Sequence, residues 1–159
     1  MKWSDVISEQ DALAKKMSGT ILAVDDDPSV LLTLKALLAP FGFQIHSYND
    51  PEKALNDFKP DFYDLLILDV NMPKLNGFEL YRLIRKIDAT VKACFLTGLD
   101  DFSDFVSFKK EVHPKLNEIY FVKKPVTGED LLERIDYMTS SHDINYTTYD
   151  GRRKAHLMM

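Results

Sequence analysis

Residues 65–73 read LLILDVNMP, and this stretch indicates the fold more clearly than any other part of the sequence. Its first four residues are all large and apolar, which is typical of a strand buried on both faces of a parallel sheet. The apolar run stops at Asp69, and Asn71 and Pro73 follow in a polar turn. Ligands of open parallel sheets bind beyond the carboxyl ends of the strands, so Asp69 is a candidate functional residue.

Four further short apolar runs flank this stretch on both sides. They lie at residues 20–24, 43–48, 92–96 and 119–122. Between the runs, apolar residues recur at helical spacing, as at Leu31, Leu34 and Leu38. Asp27 and Asp50 each precede a proline, and an aspartate cap followed by proline at the first helical position is typical of a helix start.

The regular alternation of strands and helices predicts an α/β fold with a doubly wound five-stranded parallel sheet and helices on both faces. We expect the domain to span residues 20–138. Residues 1–19 carry apolar side chains at helical spacing and predict an amphipathic N-terminal extension. Residues 139–159 are polar and lack periodicity, so we expect a flexible C-terminal tail.

The composition excludes several functional classes. The 159 residues are 45% hydrophobic and 28% charged, with a net charge of -5, which suits one globular domain. The acidic balance argues against direct binding of nucleic acid. Cys94 lies in an apolar run and predicts a buried thiol. Neither a signal peptide nor an apolar run of about 18 residues is found, so we expect a cytoplasmic protein without membrane association.

Polar side chains follow four of the five predicted strands. Carboxylates, a hydroxyl and an ammonium should therefore converge at one edge of the sheet, where crowded acidic groups stay ionised only around a cation. Oxygen ligands of this kind suit Mg²⁺, which also shares phosphate oxygens. The strand-end residues are Asp25, Asp26 and Asp27, then Asp69 and Asn71, then Thr97 and Gly98, and finally Lys124 and Pro125.

Taken together, these motifs are hard to produce by accident. They are the acidic pair after the first strand, LDVNMP followed by Asn76-Gly77, Thr97 with a small neighbour, and Lys124-Pro125. The sequence from residue 20 to residue 138 resembles the receiver domain of two-component response regulators, which has a flavodoxin-like fold. The resemblance implies that Asp69 accepts a phosphoryl group from a phosphohistidine. It further implies a Mg²⁺ site in which Asp26 and Asp69 bind directly, Asp25 helps through water, and Asn71 offers its backbone carbonyl.

By the same resemblance, other residues act on the phosphoryl group and on a conformational switch. Lys124 would pair with the phosphoryl oxygens, and Thr97 would form a hydrogen bond with them. Phe121 would be the switching aromatic residue, and the peptide bond before Pro125 would be cis. Asp27 is better explained as a helix cap than as a metal ligand. Lys123 is expected to face solvent.

These expectations describe a stand-alone, single-domain response regulator. Its partners would be a histidine kinase or phosphotransfer protein and a downstream protein, which binds a face formed by parts of 101–112, 119–122 and 130–138. The resemblance is also compatible with a dimer. Such a protein is no enzyme in the usual sense, because it catalyses only its own phosphorylation and dephosphorylation.

One alternative is a phosphate-independent binding module. A less favoured one is a Mg²⁺-dependent phosphatase with an aspartate nucleophile, which would generally carry a second aspartate where this chain has Asn71.

Overall fold

The computed structural model describes residues 19–98 and 121–139, and in them five parallel strands form one sheet. The spatial order of the strands is β2-β1-β3-β4-β5. This order confirms the prediction of a doubly wound, flavodoxin-like α/β fold. The strands are β1 (Thr20–Val24), β2 (Gln44–Tyr48), β3 (Leu65–Asp69), β4 (Lys92–Thr97) and β5 (Phe121–Lys123).

Four α-helices accompany the strands in the described residues: α1 (Pro28–Leu38), α2 (Pro51–Asp57), α3 (Gly77–Ile87) and α4 (Gly128–Thr139). The predicted caps of the first two are confirmed. Asp27 and Asp50 each accept a hydrogen bond from a backbone N–H in the first turn, at 2.9 and 3.0 Å. Helix α3 starts with a feature that the sequence analysis did not identify, a reciprocal capping box between Asn76 and Glu79.

Some element boundaries differ from the predictions. Strand β2 begins at Gln44, one residue after the start of the predicted run, and Phe43 precedes it as a buried core residue, 5% exposed. Ala54, Leu55 and Phe58 lie at helical spacing in the sequence, but helix α2 ends at Asp57 and Phe58 is its extended C-cap residue. Strand β5 includes Lys123, one residue beyond the predicted run.

The core lies in two layers, one on each face of the sheet. Alternate strand residues face opposite layers, so the central strand β3 is buried throughout. Fully burying one leucine side chain stabilises the fold by about 2 kcal/mol, which makes these layers the main source of stability. One layer packs α2 and α3 through Phe58, Phe78, Leu80, Tyr81 and Ile84. The other packs α1 and α4 through Leu31, Leu34, Leu38, Leu131, Ile135 and Met138, with Cys94 buried as predicted.

Several predicted segments lie outside the described residues. They are the N-terminal extension apart from Gly19, the part of the predicted binding face at residues 101–112, the first two residues of the run 119–122, and the tail from residue 140. Helices within residues 19–98 and 121–139 all lack the combination of length and apolar character that crossing a bilayer requires.

Candidate functional site

The strand register brings the predicted site residues to one edge of the sheet. Strands β1 and β3 are neighbours at the point where the strand order reverses, and Val24 pairs with Leu68. The residues that follow this pair on each strand, Asp25 and Asp69, therefore emerge side by side. On the other side of β3, Asp69 pairs with Leu96, so Thr97 lies one residue further along β4.

Lys124 contacts two buried carboxylates at once. Its Nζ atom lies 3.0 Å from Oδ1 of Asp69 and 3.1 Å from Oδ2 of Asp25. The side chains of Asp25 and Asp69 are 0% and 3% exposed, whereas that of Lys124 is 30% exposed. One partly solvated ammonium is thus shared between two buried carboxylates. Desolvation of two carboxylates costs free energy that a single ammonium does not offset, so a further cation would stabilise the cluster.

Local backbone groups orient the two carboxylates. Asp27 donates its N–H to Oδ1 of Asp25 at 2.9 Å, and Asn71 donates its N–H to Oδ1 of Asp69 at 3.2 Å. Oδ2 of Asp25 is fully buried and has the ion pair with Lys124, but no hydrogen bond of normal geometry among the described residues. A buried oxygen in this condition is a candidate ligand atom.

The electrostatics of the cluster disfavour charge on Asp69. Burial raises the pKa of Asp69 to about 7, the Lys124 ammonium opposes that rise, and the neighbouring carboxylate of Asp25 adds to it. Burial lowers the pKa of Lys124, but contacts with Asp69 and Asp25 outweigh burial and raise it overall. Lys124 is therefore charged at neutral pH, and Asp69 becomes a full carboxylate most readily when a second cation is near.

Three of the predicted metal ligands lie together. Asp25, Asp26 and Asp69 each place a carboxylate oxygen within 4.8 Å of the other two. When all three groups are ionised, three carboxylates against one ammonium leave two negative charges in excess, and the buried Oδ2 of Asp25 lacks a normal hydrogen bond. Hard oxygen donors with this excess charge fit Mg²⁺, and the exposed Asp26 leaves room for water ligands. Asn71 is exposed at the same edge.

Thr97 and Lys124 are joined through the backbone. Lys124 donates its N–H to the carbonyl of Thr97 at 2.9 Å, directly after the pairing of Thr97 with Lys123. The peptide bond between Lys124 and Pro125 is cis. Thr97 is half-buried at the edge of the sheet, between the strand that carries Asp69 and the strand that leads to Lys124.

The predicted switch residue Phe121 belongs to an aromatic cluster that the sequence analysis did not identify. Its ring stacks on Phe95 at 5.4 Å between centroids and meets the edge of Phe78 at 6.2 Å. Phe78 and Phe95 are themselves 4.9 Å apart. Phe78 is the second residue of α3, whose start follows the Asp69 turn, and Phe121 is the first residue of β5, so the cluster connects the start of α3 with β5. The cluster could have been suspected from the sequence, because residues 78, 95 and 121 are all aromatic.

The structure confirms the predictions that Asp27 caps a helix and that Lys123 faces solvent. Asp27 is exposed, and its carboxylate caps α1 by accepting hydrogen bonds from the backbone and the hydroxyl of Ser29 at 2.9 and 2.7 Å. Lys123 is exposed.

Sequence comparison supports the interpretation of the fold. Residues 21–136 match the family model described as "Response regulator receiver domain". Protein RcaC of Microchaete diplosiphon is 43% identical over 117 residues, which cover 72% of this chain and 17% of RcaC. The probable transcriptional regulator ycf27 of Guillardia theta is 35% identical over 115 residues, which cover 72% of this chain and 43% of ycf27. The chain thus spans less than half the length of these two relatives.

Structural comparison gives the same result. A response regulator receiver domain protein from Clostridium thermocellum superposes with a TM-score of 0.63 at 25% identity, covering 88% of this chain and 98% of that chain. A putative response regulator from Chloroflexus aurantiacus superposes with a TM-score of 0.65 at 26% identity, covering 77% of this chain and 98% of that chain. The match of residues 21–136 to the family model, carried by this fold, establishes that the chain belongs to the family of response regulator receiver domains.

Proposed function

We propose that this chain acts as a response regulator receiver whose Asp69 accepts a phosphoryl group from a phosphohistidine. One observation carries the proposal: Oδ1 of Asp69 lies 3.0 Å from the ammonium of Lys124, in a cluster with the carboxylates of Asp25 and Asp26. The arrangement presents a buried nucleophile beside positive charge at a solvent-facing sheet edge. Phosphoryl transfer depends mainly on such positioning and on neutralising charge.

In the proposed reaction, a carboxylate oxygen of Asp69 attacks the phosphorus of a phosphohistidine on a histidine kinase or phosphotransfer protein. The P–O bond to Asp69 forms as the P–N bond breaks, and the bond electrons leave with the imidazole nitrogen. The product is an acyl phosphate on Asp69. Lys124 stays charged throughout and offsets negative charge on the transferred oxygens.

Mg²⁺ is part of this proposal. Asp25, Asp26 and Asp69 would hold it together with the backbone carbonyl of Asn71. When bound, it would neutralise charge on the carboxylates and on the phosphoryl oxygens. An anionic donor approaching two excess negative charges without this screening would be repelled. The same residues would support hydrolysis of the acyl phosphate, so the chain would catalyse only its own phosphorylation and dephosphorylation.

The output is proposed to run through Thr97 and Phe121. A phosphoryl group on Asp69 adds charge and acceptor oxygens within reach of the Thr97 hydroxyl, and movement of Thr97 would open space for the Phe121 ring. Arg134 of α4 donates its Nε–H to the carbonyl of Phe121 at 3.1 Å, so a change at Phe121 would reach the last helix. A downstream protein would bind the face that includes β5 and α4.

The deciding experiment is phosphorylation by a small donor. The chain is incubated with acetyl phosphate and Mg²⁺, and its intact mass is measured for the parent, for Asp69→Asn and for the control Asp27→Asn. Asparagine also caps helices well, so the control should keep α1 intact. We expect a gain of one phosphoryl group in the parent and in the control, and none in Asp69→Asn or in the presence of a metal chelator.

Two outcomes would overturn the proposal. Parent protein that gains no mass with acetyl phosphate or with phosphoramidate, which has a P–N bond, would indicate the phosphate-independent binding module. Rapid, repeated release of inorganic phosphate from the donor, with no accumulating phosphoprotein, would indicate the phosphatase.

A further inference from the structure

Gly77 lies directly against the main chain of the proposed phosphoacceptor. It is the first residue of α3, and it donates its N–H to the carbonyl of Val70 at 3.2 Å. A Cβ added at Gly77 would collide with the carbonyl oxygen of Asp69 and would lie 2.9 Å from its carbonyl carbon and 3.2 Å from Cα of Val70. All of these are backbone atoms, so rotation of a flexible side chain cannot relieve the steric overlap.

Glycine is needed at position 77 for space and not for backbone conformation. Among the glycines of residues 19–98 and 121–139, the left-handed conformation occurs at Gly42, whose φ is 91°. Gly77 instead opens a right-handed helix, in which alanine would ordinarily be preferred to glycine. The close approach to Asp69 is therefore the constraint that excludes a side chain.

The first turn of α3 cannot easily shift away from Asp69 to make room for a side chain at position 77. Its first turn is held by the capping box, in which Glu79 donates its N–H to Asn76 at 2.8 Å and Asn76 donates its N–H to Glu79 at 3.1 Å. The next residue, Phe78, is 3% exposed and is packed against Phe95. An added methyl group would therefore be accommodated mainly by displacing the backbone of Asp69 and Val70.

We propose that Gly77 is a positioning residue for Asp69: the missing side chain lets α3 press on the Asp69 backbone and so sets where its carboxylate meets Lys124. This inference rests on the proposed function. Oδ1 of Asp69 makes both of the short contacts described above, to Lys124 at 3.0 Å and to the N–H of Asn71 at 3.2 Å. Displacement of a reacting group by about 1 Å costs about a hundredfold in rate, so smaller shifts should be measurable.

The test compares Gly77→Ala with Gly128→Ala. Gly128 also opens a helix, but among residues 19–98 and 121–139 a Cβ there would meet only the tip of the Leu37 side chain, at 3.2 Å. Phosphorylation by acetyl phosphate with saturating Mg²⁺ is followed by intact mass, and thermal stability is measured in parallel. We expect Gly77→Ala to lower the maximal rate by about tenfold or more, with little change in the donor concentration that gives half of that rate. Gly128→Ala should keep the parent rate.

A structural readout separates positioning from loss of fold. In a crystal structure of metal-free Gly77→Ala, the distance between Nζ of Lys124 and Oδ1 of Asp69 should exceed the 3.0 Å of the parent. If Gly77→Ala is unfolded in buffer, all variants are compared in trimethylamine N-oxide, an osmolyte that favours the folded state. The rate of Gly77→Ala should remain low under those conditions.

The possible failures are distinguishable. A folded Gly77→Ala that is phosphorylated at the parent rate, in buffer or in the osmolyte, would overturn the positioning role and leave the proposed function intact. A parent chain that takes up no phosphoryl group would instead overturn the proposed function itself.

Discussion

Nζ of Lys124 lies 3.0 Å from Oδ1 of Asp69, although β4 separates β3, which ends at Asp69, from β5, which Lys124 follows. Adjacent strands are about 4.8 Å apart, so the lysine side chain, the aspartate side chain and the 3.0 Å contact between them together span roughly 10 Å of sheet edge. It passes the end of β4, where Thr97 and Gly98 are small. The length of lysine and the small residues at the intervening strand end together make the ion pair possible.

The first prediction concerns the ammonium of Lys124. Lys124→Ala should keep the fold, because the side chain lies at the sheet edge and is 30% exposed. Removing the ammonium should raise the pKa of Asp69 further and lower phosphoryl uptake by about a hundredfold, the typical effect of losing one preorganised charge-stabilising donor. Intact-mass kinetics measure the uptake. Lys123→Ala, a substitution of the exposed neighbouring lysine, is the control. Equal rates of phosphoryl uptake in Lys124→Ala and Lys123→Ala would contradict the role of Lys124.

The second prediction concerns Mg²⁺ and the exposed carboxylate of Asp26. Mg²⁺ should raise the melting temperature of the parent, because a ligand that binds only the folded state stabilises it. For the same rise in melting temperature, Asp26→Asn should require a Mg²⁺ concentration higher by about tenfold or more. A thermal-shift titration measures this, with Asp27→Asn as the control. If Asp26→Asn and the parent respond to the same Mg²⁺ concentrations, Asp26 is not a ligand.

The third prediction concerns the transmission of the signal from Asp69. In the parent, the phosphoryl mimic beryllofluoride with Mg²⁺ should change amide hydrogen exchange in residues 121–139. Thr97→Ala should still bind the mimic but should lose this distant change, because the hydroxyl that moves toward the phosphoryl oxygens is absent. Thr33→Ala removes a hydroxyl on α1 that donates to the carbonyl of Ser29, and serves as the control. Changes confined to the surroundings of Asp69 in the parent would exclude this output route.

The fourth prediction concerns acid stability and Asp88. Its carboxylate accepts hydrogen bonds from the N–H of Asp61 at 2.9 Å and from the N–H and hydroxyl of Thr90, each at 3.1 Å. These bonds, that from Asp61 foremost, hold the pKa of Asp88 below its usual value. Because the folded-state pKa is lowered, the stabilisation is present above the unfolded pKa of about 4 and is lost as the pH falls through the folded pKa.

Asp88→Asn should therefore lower the free energy of unfolding by about 2 kcal/mol at neutral pH. The difference between parent and variant should narrow as the pH falls from about 5 towards about 2. Urea unfolding at a series of pH values measures it, with the exposed Glu133→Gln as the control. A difference that stays constant over this range would show that the charge of Asp88 does not stabilise the fold.

Much of the fold was predictable from local patterns in the sequence. The all-apolar run at 65–68 requires burial on both faces, and regular alternation with helical spacing requires a parallel sheet covered by helices. Asp27 and Asp50 predicted two helix starts correctly because a cap interacts only with its own first turn. Strand ends were less predictable, since the apolar run from Phe43 predicts one more strand residue than the ladder of β2 contains, and Phe43 is a buried core residue outside the strand.

The sequence by itself determined which residues stand at the strand ends, and hence that carboxylates, a hydroxyl and a lysine meet at one edge. Only the tertiary structure decided which of them touch. Lys124 reaches both Asp25 and Asp69, and Gly77 lies against the backbone of Asp69. These contacts join elements far apart in the chain or pressed together by packing, so they depend on strand register and on how the first turn of α3 is held. The capping box of α3 is a local motif, but strand register and the contact of α3 with the Asp69 backbone are encoded in no local pattern, because both result from the whole core packing at once.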